Sequence, residues 1–188
     1  MADFYKNAST AQQYIKMTAD YDSHFFSTAA LPHLKAGGTA LELGTGPGND
    51  LHWLKAHLKV TASDNSPFFM EHIKANHPEV DVLEISAEAI QTDKTFDAII
   101  SNKVLHHLKN DDLESSIKGQ AAHLNDGGVT IHTFWWGAHE EEIMEMCFNY
   151  HQEQDLETAF GKHFELIKIE RYTEIEENDS VLVVAKKK

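Results

Sequence analysis

Arginine and cysteine are almost missing from this sequence. Arg171 is the one arginine among 188 residues whose formal net charge is −14. Proteins that bind DNA or RNA gain most of their affinity from basic contacts to phosphate, so we do not expect a nucleic-acid partner. The single cysteine, Cys147, cannot form an internal disulfide, and this usage is typical of proteins from a reducing compartment.

Long hydrophobic runs are missing as well. No apolar stretch approaches the ~20 residues that span a bilayer. The first residues, Met1–Lys6, show no basic region followed by an apolar core. We therefore expect a cytoplasmic protein that has no membrane partner. A chain of 188 residues is expected to form one domain, and a domain of this size buries about 70% of its extended surface without disulfides.

Strand-like and helix-like segments alternate from Thr39 onward. One helix is predicted from about Asn49 to Leu58, and Ser66-Pro67 is the N-cap signature of a second helix that ends near Asn76. This alternation indicates a mostly parallel sheet with helices on both faces and a ligand crevice at the carboxyl ends of the strands. The predicted strands are Thr39–Leu43, Lys59–Ser63, Val80–Ile85, Phe96–Ser101 and Val129–Phe134.

The pattern changes at both ends of this alternation. Residues 4–35 mix aromatic residues with helix formers, so they predict one or two helices that act either as a packed cap or as a lid. Residues 138–161, which include Cys147, are predicted to form one broken helix. Phe164–Ile175 and Val181–Ala185 are strand-like runs joined by a polar turn, and they predict an antiparallel hairpin at the sheet edge.

The turn after the first predicted strand is rich in glycine. Such a turn between a strand and a helix lets a ligand approach the backbone and the helix N-terminus closely. Dinucleotide-binding proteins use the spacing G-x-G-x-x-G/A, whereas the spacing here is G-x-G-x-G and Asn49 replaces the third small residue. Glu42 would repel a pyrophosphate and would suit a cationic ligand. The glycines are Gly44, Gly46 and Gly48.

The run E-L-G-T-G-P-G, residues 42–48, resembles the first motif of class I S-adenosylmethionine-dependent methyltransferases. The cofactor of that family carries a sulfonium and an ammonium group, which agrees with the carboxylate of Glu42. Asp64 stands 20 residues beyond Gly44, where an acidic side chain can accept both ribose hydroxyls. NAD-binding folds use the same device, so a nicotinamide-dependent oxidoreductase remains an alternative.

A second resemblance covers residues 96–108, F-D-A-I-I-S-N-K-V-L-H-H-L, which are similar to the strand-four motif of small-molecule class I methyltransferases. The N/D-P-P-Y motif of base-modifying amino-methyltransferases is absent, because Lys103 and Val104 stand where its prolines would be. The resemblance implies that Asn102 meets the methionyl end of the cofactor and that Asn65 faces the adenine. Ser86 replaces the acid that often binds the adenine amino group. The predicted cofactor site comprises Glu42, Gly44, Thr45, Gly46, Gly48, Asp64, Asn65, Ser86, Ala87 and Asn102.

Methyl transfer from a sulfonium is an in-line displacement, so we expect most of the acceleration from positioning the reactants and excluding water. A general base is needed only when the acceptor keeps its proton until attack. The candidate bases are His106, His107 and His132. The candidate walls of the acceptor pocket are Tyr5, Tyr14, Trp135 and Trp136.

Thirteen histidines raise the question of a metal site. The sequence contains no H-E-x-x-H motif and no cysteine pair. His106 and His107 are adjacent, so on a helix their side chains would point in different directions. We therefore predict no metal.

These observations combine into one hypothesis. The C-terminal hairpin also resembles the class I methyltransferase fold, so we predict an α/β, Rossmann-like sheet of seven strands that is mostly parallel, with helices on both faces and an antiparallel last strand. A single domain, 1–188, would comprise a helical cap or lid, 1–38, and an α/β core, 39–188. The predicted activity is S-adenosylmethionine-dependent methyl transfer to a small molecule. A protein acceptor, a non-catalytic cofactor-binding subunit and the oxidoreductase are the alternatives.

Overall fold

The structure is a computed structural model that describes Tyr5, residues 7–144 and residues 146–188. Short 3-10 turns occur at Leu31–His33 and Leu105–His107. The helices are α1 (Ala8–Met17), α2 (His24–Ala30), α3 (Leu51–His57), α4 (Pro67–Asn76), α5 (Asn110–His123) and α6 (Glu153–Gly161). The strands are β1 (Thr39–Leu43), β2 (Lys59–Asp64), β3 (Asp81–Glu84), β4 (Phe96–Asn102), β5 (Leu124–Trp135), β6 (Glu140–Ile143), β7 (Met146–Asn149), β8 (Phe164–Tyr172) and β9 (Ser180–Lys187).

Seven strands form one sheet in the order β3-β2-β1-β4-β5-β9-β8. Strands β1 to β5 run parallel to one another, whereas β9 runs antiparallel to both β5 and β8. The predicted fold, a mostly parallel sheet with an antiparallel last strand, is confirmed. The strand order reverses between β1 and β4, so the carboxyl ends of these two strands border the crevice where such sheets bind ligands.

Helices cover both faces of the sheet. One core layer places Leu54 of α3 and Ile73 of α4 against the strand residue Ala40. The opposite layer places Ile117 of α5 and Phe160 of α6 in the same cluster as the strand residues Leu41 and Ile99. Ala40 and Leu41 alternate between the two layers because successive side chains of a strand point to opposite faces. The α4 start is also as predicted, since Ser66 accepts a hydrogen bond from the Phe69 backbone N–H and Pro67 occupies the first turn.

The prediction of one broken helix over residues 138–161 is wrong in its first half. Strands β6 and β7 form a separate antiparallel hairpin there, with Cys147 in β7, and only α6 is helical. The hairpin is tied to the Leu105–His107 turn, because the Asn149 side-chain amide donates to the backbone carbonyls of His106 at 3.0 Å and Leu108 at 2.8 Å. Such long-range contacts override the local helix propensity on which the prediction was based.

The N-terminal helices lie beside the first strands. The chain between α1 and α2 is fixed at the glycine turn, because the Asn49 side-chain amide donates to the Thr18 carbonyl at 3.1 Å. Near α4, the Ser66 hydroxyl donates to the Tyr5 carbonyl at 2.5 Å. The N-terminal segment therefore covers the carboxyl ends of β1 and β2. Among the described residues, no helix is long and apolar enough to cross a membrane.

Candidate functional site

A cavity of about 570 Å³ lies at the carboxyl ends of β1, β2 and β4. Its floor is formed by the turn that follows β1, and its walls come from the N-terminal helices, from residues near the end of β4 and from the loop between β8 and β9. We call its two parts the glycine-turn end, which comprises Glu42, Gly44, Gly46, Asp50 and Asp64, and the mouth end. The mouth end comprises Met17, Asp20, Tyr21, Asp22, Lys103, Trp135, Glu174 and Ile175.

The glycine turn depends on a left-handed backbone conformation. Gly44 has φ +65°, and a Cβ atom there would lie 2.5 Å from a methyl carbon of Val104. Gly46 has φ +53°, and its Cβ position meets no atom closer than 3.9 Å. An L side chain rarely adopts such φ values, so the glycines allow the turn and keep its surface bare. Gly48 is like Gly44 in that its Cβ would meet a side chain, at 2.7 Å from Ile73 of α4, but Gly48 does not line the cavity.

Glu42 presents a buried carboxyl group to the cavity. The residue is 5% exposed, and its Oε2 atom has no hydrogen-bond partner. Burial, together with the nearby carboxylate of Asp50, raises the pKa of Glu42 well above its ordinary value. A buried charge without a partner is costly, whereas a cationic group bound beside it would favour the ionised form. The site therefore fits a ligand that carries a positive charge.

Asp64, at the end of β2, is anchored by the backbone. Its Oδ2 atom accepts the Gly46 N–H at 3.0 Å, and its Oδ1 atom accepts the Ser66 N–H at 2.9 Å. Burial nevertheless raises the pKa of Asp64. Each carboxylate oxygen has two lone pairs, so the anchored side chain keeps acceptor capacity for hydroxyl groups. This is the chemistry required to bind the ribose of a nucleoside.

Asn102 joins the two ends of the cavity. The Thr133 hydroxyl donates to its Oδ1 atom at 2.6 Å, which fixes the orientation of the amide. Its Nδ2 atom then donates to Asp50 Oδ2 at 3.1 Å and to the Tyr21 hydroxyl oxygen at 3.0 Å. Because Tyr21 in turn donates to Glu174 Oε1 at 2.9 Å, one chain of hydrogen bonds runs from the glycine-turn end to the mouth end.

Lys103 and Glu174 form the charged centre of the mouth end. Lys103 has φ +54° and follows β4 directly. Its Nζ atom lies 3.4 Å from Glu174 Oε2, and the Tyr172 hydroxyl donates to the same oxygen at 2.7 Å. The Lys103 ammonium also lies 3.6 Å from the centre of the Trp135 ring, a cation–π contact. Burial lowers the pKa of Lys103 to about 8.

The aromatic residues predicted for the acceptor pocket divide into two groups. Tyr5 and Tyr14 line the cavity, with ring centres 5.2 Å apart and in an edge-to-face arrangement. Trp135 also lines it, under the Lys103 ammonium. Trp136 does not line it, because its indole N–H donates to Glu153 at 2.8 Å and its ring stacks on the Arg171 guanidinium at 3.6 Å.

The structure separates the three candidate histidines. His107 lines the cavity, while its Nδ1 atom lies 2.8 Å from the Cys147 carbonyl oxygen. His106 is 1% exposed, and neither ring nitrogen has a partner. His132 lies in the interior with its Nδ1 atom 2.7 Å from the Ser101 hydroxyl, and burial lowers its pKa to about 3. The positions of His106 and His132 do not suit a general base, because neither lines the cavity and both are buried.

The predicted adenine contacts lie outside the lining of this cavity. Asn65 and Ser86 are half-buried, and Ala87 is buried among the apolar residues that cover the other face of the sheet. The Ser86 hydroxyl has no hydrogen-bond partner. These three residues remain predictions. No set of three or more histidine, cysteine or acidic side chains that could hold a metal ion occurs in the part of the chain that the structure describes.

Sequence reasoning missed most of the mouth end. Tyr21 lies in the N-terminal segment that was predicted only as a cap or lid. Glu174 lies within the predicted strand Phe164–Ile175, whereas the strand in the structure ends at Tyr172. The contact between Tyr21 and Glu174 joins positions 153 residues apart, which no local pattern reveals. Asp50 and Lys103 could have been found from the sequence. Asp50 directly follows Asn49 of the glycine-rich turn, and Lys103 directly follows Asn102 of the strand-four motif.

Comparisons with known sequences find proteins described as methyltransferases. Residues 40–128 match a family described as a methyltransferase domain. An uncharacterized methyltransferase of Alkaliphilus oremlandii is 25% identical over 133 residues, which cover 69% of this chain. The match spans 62% of the length of that relative.

Two solved structures share the fold over nearly the whole chain. One is the 1,6-didemethyltoxoflavin N1-methyltransferase of Burkholderia thailandensis, crystallised with its substrate and S-adenosylhomocysteine. Its TM-score is 0.81 at 17% identity, with coverage of 95% of this chain and 84% of that one. The other is a TehB-like S-adenosylmethionine-dependent methyltransferase of Corynebacterium glutamicum. Its TM-score is 0.78 at 20% identity, and the similarity covers 97% of this chain and 100% of that one.

Proposed function

We propose that this chain is a class I S-adenosylmethionine-dependent methyltransferase and that it methylates a small molecule bound at the mouth end of the cavity. The match of residues 40–128 to a methyltransferase-domain family supports this proposal. The observation that carries the proposal is the unpaired, buried carboxyl oxygen of Glu42 beside the bare glycine turn. S-adenosylmethionine, when bound, supplies an electrophilic methyl group on a sulfonium. Its positive charges fit the carboxylates of the glycine-turn end.

We assign the binding roles to residues that line the cavity. Glu42 would neutralise positive charge, while Gly44, Thr45 and Gly46 would let the cofactor approach the backbone. Asp64 would accept the ribose hydroxyls, and Asn102 would position the methionyl end through its fixed amide. Asn65, Ser86 and Ala87 are proposed to lie at the adenine. Gly48 is proposed to act through the packing of α3 on α4, since its Cβ position is filled by Ile73.

We propose that catalysis is mainly positioning. Tyr5 and Tyr14 cover the cavity from the N-terminal segment, residues 1–38, which would serve as the cap of a single domain whose core is residues 39–188. His107 is the remaining candidate base among the three histidines, and burial lowers its pKa. A small acceptor is supported by the volume of about 570 Å³, which must also hold the cofactor. The fold similarity to a 1,6-didemethyltoxoflavin N1-methyltransferase that was crystallised with 1,6-didemethyltoxoflavin supports the same proposal.

The first experiment is a thermal-shift titration, because a ligand that binds the native state alone raises its melting temperature. S-adenosylmethionine and S-adenosylhomocysteine should stabilise the protein, and NAD⁺ or NADH should not. Stabilisation by the nicotinamides alone would refute the proposal. A radiolabelled methyl-transfer assay on metabolite extract and protein extract then identifies the acceptor. Label confined to protein would indicate a protein methyltransferase, and cofactor binding without transfer would indicate a non-catalytic subunit.

A further inference from the structure

The cavity carries a large excess of negative charge. Among the residues that the structure describes, six carboxyl groups and a single lysine line it. Lys103 offsets one of these carboxyl groups, because its Nζ atom lies 3.4 Å from Glu174 Oε2, and the other five have no ion-pair partner within the described part of the chain. The carboxyl groups belong to Asp20, Asp22, Glu42, Asp50, Asp64 and Glu174.

The carboxyl groups fall into two sets of three. Glu42, Asp50 and Asp64 belong to the glycine-turn end, where we propose that the cofactor binds. Asp20, Asp22 and Glu174 belong to the mouth end, beyond Asn102. S-adenosylmethionine has a net charge of about +1 at neutral pH, since its sulfonium and ammonium are offset by one carboxylate. The mouth end therefore keeps three carboxylates against the single ammonium of Lys103, and like charges that share a site disfavour one another.

Apolar surface surrounds these carboxylates. Met17 is 73% exposed and Ile175 is 77% exposed, although both line the cavity. The ring of Trp135 forms another wall. Exposed apolar side chains that converge on a cavity mark a place where an apolar partner is bound. The mouth end thus combines negative charge with an apolar rim.

We infer that the methyl acceptor is an amine on an apolar body, with its nitrogen at Glu174 and its body against Met17, Trp135 and Ile175. This inference rests on the proposed function. Glu174 is suited to the role because it is 14% exposed as a side chain and hydrogen-bonded to both Tyr21 and Tyr172. These bonds hold the Glu174 carboxylate in place near Asn102, whose side-chain amide donates to the Tyr21 hydroxyl.

The chemistry balances without a further reactant. The bound ammonium first loses a proton to water through the open mouth. The nitrogen lone pair then forms the new N–C bond while the S–C bond breaks, and the electron pair of that bond stays on sulfur as a neutral thioether. The product nitrogen is again positively charged, so the methylated amine leaves as an ammonium ion and the reaction releases one proton in total. A carboxylate nearby stabilises the cation on both sides of the transfer.

The test uses three probes with the same apolar body: 2-phenylethylamine, 2-phenylethanol and 3-phenylpropionate. Their dissociation constants are measured by calorimetry with the protein saturated with S-adenosylhomocysteine, and their methylation is measured with labelled cofactor. The amine should bind at least about tenfold more tightly than the alcohol, as expected for a hydrogen bond to a charged group, and the carboxylate should bind least. The inference is overturned if the amine binds no more tightly than the alcohol or the carboxylate. It is also overturned if none of the three probes binds.

Glu174→Gln should weaken amine binding by about tenfold and leave alcohol binding unchanged. Glu174→Gln also leaves Lys103 without its ion-pair partner, so a second variant is needed. This double variant combines Asp20→Asn with Asp22→Asn, both of which are exposed, and its preference for the amine over the alcohol should fall several-fold. Glu177→Gln is the matched control, since it lies in the same loop, is exposed and does not line the cavity. Undiminished amine preference in both mouth-end variants would overturn the assignment. Failure of S-adenosylhomocysteine itself to bind would instead refute the proposed function.

Discussion

The glycine-turn end and the mouth end of the cavity are built in different ways. At the glycine-turn end, the Gly46 N–H binds Asp64 across 18 positions of the sequence, and both lie at the ends of adjacent parallel strands. At the mouth end, Tyr21 binds Glu174 across 153 positions. The first end is determined by local backbone geometry, and the second by the docking of two distant loops. Substitutions at the first end should therefore affect folding and cofactor binding, and those at the second should affect the acceptor.

The largest effect is expected from Gly44→Ala. The new Cβ would meet Val104 at 2.5 Å, and φ is +65°. Val104 is 8% exposed and β-branched, so it cannot move aside readily. Steric overlap and backbone strain together should lower the free energy of unfolding by about 3–5 kcal/mol, measured by urea denaturation.

Gly37→Ala is the matched control for Gly44→Ala. Gly37 has φ +68°, but no atom lies within 4 Å of its Cβ position. This variant isolates the backbone strain, which costs about 1–2 kcal/mol. Equal destabilisation of the two variants would mean that the contact with Val104 is relieved without cost, and that the glycine turn is less constrained than the structure indicates.

Glu42→Gln should weaken S-adenosylhomocysteine binding by about 10- to 100-fold, because a buried charged partner is lost. The same change should stabilise the ligand-free protein at neutral pH. The folded-state pKa of Glu42 is raised, so its contribution to stability is full below the unfolded pKa and is lost as pH rises through the folded pKa. The difference in unfolding free energy between variant and wild type should therefore grow with pH.

Exposed Glu84, at the end of β3, provides the control for Glu42. Glu84→Gln should leave the affinity for S-adenosylhomocysteine unchanged. Calorimetric titration measures this affinity, and urea denaturation at several pH values measures the stability of the Glu42→Gln variant. If Glu42→Gln destabilises the ligand-free protein at every pH, the Glu42 carboxylate makes a stabilising contact within the protein. This result would contradict the assignment of Glu42 to ligand binding.

The same contrast explains how much could be predicted from the sequence. The strand that leads into Gly44, the N-cap at Ser66 and the sheet with its antiparallel last strand all depend on local patterns, and the structure confirms them. The β6–β7 hairpin depends on Asn149 bonding to the carbonyls of His106 and Leu108, and local propensity predicted a helix there. His106 and His132 were proposed because the sequence places them near the predicted crevice, whereas the access of a base to the cavity depends on packing, which the sequence does not reveal.

Tyr21→Phe tests the mouth end with a smaller effect. The change removes the hydroxyl that joins Asn102 to Glu174, so the KM of the acceptor should rise about five- to tenfold, as expected for the loss of a hydrogen bond to a charged group. Cofactor affinity should stay within about twofold. Tyr150→Phe is the control, since its hydroxyl also binds a glutamate, Glu141, away from this cavity. A loss of cofactor affinity in Tyr21→Phe would show that the two ends are not independent.

The smallest effect is expected from His107→Gln, which keeps a donor for the Cys147 carbonyl and removes the imidazole. A general base contributes about 10²–10⁴-fold to the rate, whereas catalysis by positioning should leave kcat within about tenfold of wild type. Because an amine must lose its proton before transfer, kcat/KM should rise about tenfold per pH unit below the pKa of the amine in both proteins. His123→Gln, outside the cavity lining, serves as the control. A 100-fold loss of kcat confined to His107→Gln, with a flattened pH profile, would make His107 the general base and would favour an acceptor that keeps its proton until attack.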